Sequence, residues 1–252
     1  MSNLYWLTEA QMKRLRPYFP KSRGRVRVDD CRVLSGIIFI NHNGLKWCDA
    51  PAEYGPPKTL YNRWKRWSDM GVFARIMMGL AEQAPDNATI SIDATYLKAH
   101  RTASSLRLKK GLRGRLIGLT KVGMNTKLHA VTDTSGRPVR LFITAGQVSD
   151  YTGAAALMNG LLEAEWLLAD RGYDADWFRD TLIYKGTKRC IPGGKSRKKT
   201  IKYDKRRYKR RNRIERMFDR LKDWRRVSTR YDRCPKVFLS AIALAVTVIF
   251  WL

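Results

Sequence analysis

Three carboxylates stand where a carboxylate needs a reason. Asp93 lies inside an alternating apolar segment, Ala88 to Leu97, between Ile92 and Ala94. A charge there is costly unless it is paired or bound to a cation. Asp170 ends the apolar run Leu167-Leu168-Ala169, and strand ends are where α/β folds place their chemistry. Glu215 is one of four acids against 20 Lys and Arg between Lys185 and Arg226. Three carboxylates without His or Cys ligands select hard, oxygen-preferring ions, Mg²⁺ or Mn²⁺. Two such ions about 4 Å apart activate a water or a 3′-hydroxyl and stabilise the leaving oxygen of an in-line phosphoryl transfer.

Glu215 has company on its helix. Tyr208, Arg211, Glu215 and Lys222 follow at spacings of 3, 4 and 7. At about 100° per residue the four share one face. The plainer reading is an ordinary i−4 pair between Glu215 and Arg211, worth a few tenths of a kcal/mol. The charge balance argues for more. The chain of 252 residues carries a net +28, and the segment 185–226 alone supplies +16. Such an excess calls for a polyanionic partner, since counterion release from phosphates drives the binding. Ribosomal and packaging proteins are as basic, but tend to be shorter and poorer in Trp than a chain with 8.

The elements that must position these groups fall into two parts. Residues 1–87 read as a small all-α unit. Thr8, with Gln11 three residues on, caps a first helix to about Tyr18. Asp29 and Asp30 open a second that stops before Asn43-Gly44. A third starts near Thr59 and a fourth spans Val72 to Glu82. In the third, Leu60, Trp64 and Trp67 form an inner stripe, and Arg63, Lys65 and Arg66 lie on the remainder. An aromatic inner face and a basic outer face suit a recognition helix that reads double-stranded DNA.

Residues 88–252 alternate strands and helices in the order β-β-β-α-β-α-β-α, which predicts an α/β mixed sheet flanked by helices. Ala88–Leu97, Val122–Thr132 and Val139–Ala145 read as an antiparallel meander. A helix over Tyr151–Leu162, a strand over Trp166–Ala169, a helix over Asp174–Tyr184 and a strand over Arg189–Ile191 follow. A basic loop, Gly193 to Thr200, offers Lys195, Arg197, Lys198 and Lys199 to a phosphate backbone. One long basic helix then runs to about Arg226. Residues 98–120 hold seven Lys/Arg and read as a second basic loop; basic tracts cover 98–120 and 193–213. In this order the first strand lies beside the fourth and the long helix crosses their ends, so Asp93, Asp170 and Glu215 converge.

These residues carry a resemblance. Tyr208-x2-Arg211-x3-Glu215-x6-Lys222 resembles the Y-R-E-K signature of bacterial insertion-sequence transposases. Asp93 in Ser91-Ile92-Asp93-Ala94-Thr95 and Asp170 in Asp170-Arg171-Gly172-Tyr173-Asp174 resemble the other two motifs of the insertion-sequence-five family. The likeness extends to the Trp/Pro-rich segment from Trp47 to Trp67. It departs from the family around Gly118 to Gly123, where an Arg-Gly-Gly run is common. The resemblance implies a ribonuclease-H-like catalytic domain with a DDE triad and two Mg²⁺ ions per site, Mn²⁺ substituting. Asp93 would bridge the ions, and Asp170 and Glu215 would each complete one. Arg211 and Lys222 would contact end phosphates, with Tyr208 packed beside them. It further implies a transposase that cleaves the terminal inverted repeats of its element and joins 3′-hydroxyl ends to target DNA as a homodimer or higher assembly. The alternative is a non-catalytic basic nucleic-acid-binding protein derived from one.

Other signals are weaker. Cys31, Cys48, Cys190 and Cys234 have no metal or disulfide spacing, which suits reduced thiols and a cytoplasmic, nucleoid-associated protein. The N-terminus has no signal-peptide core. Val237 to Leu252 is almost wholly apolar, but at 16 residues it falls short of the usual span of about 20; it reads as a buried helix rather than a membrane anchor. Gly193-Gly194-Lys195-Ser196 lacks the first Gly of a P-loop. His129 on its strand reads as a hydrogen-bonded core residue or a neighbour of the site. Asp29, Asp30, Asp86, Asp150, Asp174 and Asp204 read as helix and turn caps.

Overall fold

The sheet is organised around β1, Thr89–Ala99. A computed structural model describes residues 4–21, 29–83, 86–105, 112–158, 163–195, 197 and 200–252; the end of the helix expected over Tyr151–Leu162 lies outside them. One edge of β1 runs antiparallel to β3 (Gly123–Thr132), with Asp93 opposite Ala130. The other edge is shared. At Thr89–Ser91 it pairs in parallel with β5 (Trp166–Leu168), and at Lys98–Ala99 with the two-residue β7 (Thr229–Arg230). Between those pairings, among the described residues, the edge from Ile92 to Leu97 has no strand beside it. Asp93 sits in that gap. Outside β3 lie β2 (Gly118–Thr120) and β4 (Pro138–Ala145), pairing with successive stretches of it; β6 (Lys188–Cys190) lies parallel outside β5.

The meander and the β1–β5 adjacency expected from sequence are present, with β2 and β7 as additions too short to leave a periodic pattern. Thr89 to Ile92 are all buried although the sequence alternates. A central strand with neighbours on both edges and helices on both faces has no solvent side.

The N-terminal helices form as their caps dictate. Thr8 and Gln11 make a reciprocal capping box on α1 (Glu9–Leu15), whose chain tightens into a 3₁₀ turn over Arg16–Tyr18. Asp29 caps α2 (Asp30–Asn43), and Gly44 closes it at φ +68°, where a side chain would also meet Arg225. α3 spans Pro57–Asp69 and α4 Val72–Glu82. α5 is the single turn Arg101–Ser104, α6 spans Asp150–Met158 and α7 Asp176–Tyr184.

The long basic helix is a broken run. α8 (Lys205–Tyr208), capped by Asp204, passes through a 3₁₀ turn at Lys209–Arg211 into α9 (Asn212–Lys222). The run ends where Trp224 turns extended and buries its ring; α10 (Arg225–Ser228) follows. α9 buries Ile214, Met217, Phe218 and Leu221, the i, i+3, i+4, i+7 stripe of an amphipathic helix, so Glu215 and Lys222 face outward. The apolar C-terminal segment is α11 (Pro235–Val246) plus one π turn, and it packs on α2, α3, α4 and β4. Phe238, Ile242 and Val246 are fully buried there, each worth about 1.5–3 kcal/mol. Among the described residues no helix is long and apolar enough to cross a membrane. One apolar core runs from Leu7 to Trp251, so the N-terminal helices and the sheet share their interior.

The tract 98–120 is not a free loop where it is described. Residues 98 and 99 belong to β1, α5 and β2 lie within it, and Arg115 donates to the carbonyls of Ala103 (3.0 Å) and Ser105 (2.7 Å). The fully buried Arg230 fastens it from the far end of the chain, donating to Arg115 O, Leu116 O and Thr126 Oγ1.

Candidate active site

Arg211 links two of the three expected carboxylates. Its Nη1 donates to Asp93 Oδ2 at 2.7 Å, and its Nη2 donates to Glu215 Oε1. α9 packs against β1 beside the open edge, which puts Glu215 near Asp93 although 122 residues separate them. Asp93 and Arg211 are each 16% exposed and Glu215 about half. Burial pushes the Asp93 carboxyl up to about 6 with help from the charge of Asp170, while the Ala94 N–H (2.8 Å) and Arg211 pull the other way. Arg211 thus turns toward carboxylates, not outward as a phosphate contact would require. With no phosphate at hand, a guanidinium goes to the anions beside it.

Asp170 leaves the end of β5 and caps a 3₁₀ turn, Arg171–Tyr173, accepting from Gly172 N at 2.8 Å. Gly172 is crowded by acids. A Cβ there would stand 3.0 Å from Asp170 Oδ1 and 3.6 Å from Asp150 Oδ2. Asp150, at the start of α6, is held by Lys127 of β3, whose Nζ donates to Asp150 Oδ1 (2.9 Å) and Val148 O (2.6 Å). Tyr173 is fully buried and its hydroxyl has no hydrogen-bond partner among the described residues. Burial raises its pKa, and the charges of Asp150, Asp93 and Asp170 raise it further. Sequence reading assigned Asp150 a capping role and passed over Lys127 and Tyr173. An acid opening a helix looks like a cap whether or not its other oxygen serves a site.

The donor set suits a hard cation only in part as it stands. Asp93, Asp150 and Asp170 supply oxygen ligands alone, and an orphaned buried hydroxyl among them is what a missing charge centre leaves behind. Glu215, however, is engaged by Arg211, and among the described residues no three such side chains stand in position to hold one ion together. The residues fit a divalent, oxygen-preferring ion on the Asp93–Asp170 side; Glu215 joins only where Arg211 lets go.

Asp174, four residues from Asp170, is not a cap. It accepts from Arg179 Nε (2.5 Å), Arg197 Nε (2.5 Å) and Gly194 N (2.6 Å), and its side chain is 1% exposed. Burial opposes its ionisation, but Arg197, the Gly194 amide and Arg179 win and hold the carboxyl down at about 2. Arg197, expected on DNA, therefore faces inward to Asp174 and Asp176 (2.5 Å). Lys195 is exposed; Lys198 and Lys199 lie outside the described residues. Tyr208 packs edge-on to Tyr203 (5.3 Å) beneath Arg211, and Lys222 is exposed at the end of α9. On α3 only Arg66 points outward as expected. Arg63 is turned in to Asp30 and over Trp67, and Lys65 is tied to Asp69 at 2.5 Å. His129 is a core residue: Nε2 meets Thr144 Oγ1 at 2.9 Å, and burial holds its pKa down at about 4.

Comparison with known proteins shows the family of the chain. Residues 84–250 match the family model described as "Transposase DDE domain", and residues 7–77 match "Putative transposase of IS4/5 family". The chain is 37% identical over 131 residues to the "Putative transposase for insertion sequence element IS6501" of Brucella ovis, covering 51% of this chain and 99% of that one. It is 35% identical over 75 residues, 29% of this chain and 51% of that one, to a 16.2 kDa protein of insertion element IS402 from Burkholderia cepacia. Among solved structures, a piggyBac transposase in a synaptic complex with hairpin DNA shares the fold, with TM-score 0.54 over 97% of this chain and 72% of that one at 8% identity.

Proposed function

The chain belongs to the DDE transposases, and from that premise we propose that it binds the terminal inverted repeats of an insertion sequence, cleaves the ends by metal-dependent hydrolysis and joins the 3′-hydroxyls to target DNA. The observation that carries this reading is the meeting of Asp93, Arg211 and Glu215 at the unpaired edge of β1, with Asp170 close enough for its charge to act on Asp93. Two Mg²⁺ ions, replaceable by Mn²⁺, would be held by Asp93, Asp170 and Glu215; bound there, they would supply charge to the attacking and leaving oxygens.

The protein's own residues do the rest. Asp93 is fixed by its strand and by the Ala94 amide, and Asp170 by the Gly172 amide, so each is held in place before DNA arrives. Arg211 keeps the carboxylates from repelling one another and, released from Glu215, becomes available to an end phosphate. Lys222 on the same helix and Lys195 on the loop are exposed and would contact the backbone. Trp166, Lys188, Arg189 and Lys202 line a groove of about 710 Å³ along the β6 edge that would extend that contact. The N-terminal helices, residues 1–87, would supply recognition of the ends, with Arg66 at the groove. Two ends joined to one target require two such sites, hence a homodimer or higher assembly on DNA.

Purified full-length protein with duplex bearing the element's ends tests this. Mg²⁺-dependent 3′-end cleavage and strand transfer are expected, with Ca²⁺ supporting binding but little chemistry. End binding with no cleavage in Mg²⁺ or Mn²⁺ would favour the non-catalytic alternative, for which the Arg211 bridge is the supporting observation.

A further inference from the structure

A fourth carboxylate, Asp150, stands beside Asp170. Asp150 opens α6, a different element from those that carry the three acids expected of the site, yet its Oδ2 and Asp170 Oδ1 press on the same face of Gly172. Its other oxygen is spoken for. Lys127, with its side chain 6% exposed, reaches from β3 to Asp150 Oδ1 and to Val148 O, and lies 4.8 Å from the Tyr96 ring. A buried ammonium with three partners is a rigid clamp, and it leaves Asp150 Oδ2 at Gly172. Capping of α6 and pairing with Lys127 would account for Asp150 alone. They do not account for Tyr173, fully buried, its hydroxyl unpartnered among the described residues, in the combined field of Asp150, Asp93 and Asp170. A buried hydroxyl left without a partner is costly, and this one lies next in the chain to Gly172, against which Asp170 and Asp150 both press.

We propose that Asp150 is a fourth carboxylate of the cation site, joining Asp93 and Asp170 to bind a divalent, oxygen-preferring cation, with Lys127 positioning it and the Tyr173 hydroxyl turned toward the same point. The proposal rests on the metal site of the preceding section. It gives the Asp93–Asp170 side of the site a third carboxylate that does not wait for Glu215; as the side chains stand no three of them surround one point, so binding would draw them together. The ion on that side therefore binds before DNA does, while Arg211 still holds Glu215.

The test is Mn²⁺ binding to the full-length protein without DNA, read from the electron paramagnetic resonance of free Mn²⁺, with the metal-free Tm of every variant measured alongside. Asp93→Asn, Asp170→Asn and Asp150→Asn are each expected to weaken Mn²⁺ binding about 10–100-fold, and Glu215→Gln by far less. Tyr173→Phe is expected to weaken Mn²⁺ binding several-fold while raising the metal-free Tm, because it removes an unpaired buried hydroxyl; a purely structural tyrosine would not give that pair of opposite shifts. Should Asp150→Asn prove too unstable to measure, Tyr173→Phe decides, and wild-type affinity in that variant overturns the proposal. Wild-type Mn²⁺ affinity in Asp150→Asn with loss in Asp170→Asn also overturns it, leaving Asp150 as a cap and the three-residue site intact. Unchanged affinity in Asp93→Asn and Asp170→Asn would instead overturn the metal site itself.

Discussion

Asp170 and Asp174 are four residues apart on one loop and live in opposite worlds. Asp174 is closed: two guanidiniums and a backbone amide take its oxygens, its side chain is 1% exposed, and its carboxyl is held down at about 2. Asp170 makes one hydrogen bond among the described residues, to the Gly172 amide, and stands beside Asp150 at Gly172. The first carboxylate is satisfied by the fold and builds it. The second is left with one partner among the described residues, the usual mark of a site whose partner arrives later. The difference teaches that carboxylate function is legible in what remains unpaired.

The comparison breaks most visibly in activity. Asp93→Asn and Glu215→Gln are expected to lower strand transfer at least about 10³-fold, the several kcal/mol that metal-held transition-state charge supplies, while leaving end binding nearly unchanged. A variant with near-normal strand transfer in Mg²⁺ removes that residue from the site.

Asp174→Ala should do the reverse. It strands Arg179, whose side chain is 7% exposed, and breaking one partner of a buried pair costs about 3–5 kcal/mol. In a chain of this length that is a fall of roughly 10 °C in Tm, readable by calorimetry, with end cleavage per folded molecule preserved at low temperature.

The pH dependence of metal-free stability separates the two groups by sign. Asp93 is raised to about 6, so the folded state binds a proton more readily than the unfolded chain. Stability should rise by about 1–3 kcal/mol as pH falls from 7 through 6 toward 4. Asp174 is lowered to about 2; its contribution is complete above about 4 and is lost as pH falls through 2. Denaturant melts across pH 2–8 should show the maximum between the two, and Asp93→Asn should erase the rise above pH 4 without touching the acid limb.

Smaller still is the effect on α3. The Lys65–Asp69 pair is about half exposed, so Lys65→Ala should change stability by less than about 0.5 kcal/mol. Arg66→Ala should leave stability alone and weaken binding to end DNA. Equal weakening on random DNA would make Arg66 a phosphate contact rather than a base reader.

Much of this was legible in the chain. The alternating strands, the caps at Thr8, Asp29 and Asp204, the amphipathic stripe of α9 and the three acids are local patterns, and local patterns survive into the fold. The Arg211 bridge to Glu215 was legible as an i−4 pair; its second arm to Asp93 was not, because it depends on α9 crossing an edge of β1 left open between β5 and β7. Asp150 and Asp174 were read alike, as caps. Only packing separates them: Lys127 and Gly172 turn the first toward the site, while Arg179, Arg197 and Gly194 enclose the second. Arg63 and Arg197 carry charge that sequence assigns to DNA, yet each finds a carboxylate nearer than solvent. The order within 98–120 escaped because Arg230, more than a hundred residues away, supplies its hydrogen bonds.

The most direct measurement sets the two aspartates against each other. Full-length Asp170→Asn and Asp174→Asn are assayed in Mg²⁺ on duplex bearing the element's ends, each at a temperature below its own Tm. The account predicts no cleaved or joined product from Asp170→Asn at a near-wild-type Tm, and near-normal product per folded molecule from Asp174→Asn at a lowered one. Strand transfer by Asp170→Asn at a rate close to wild type would contradict it.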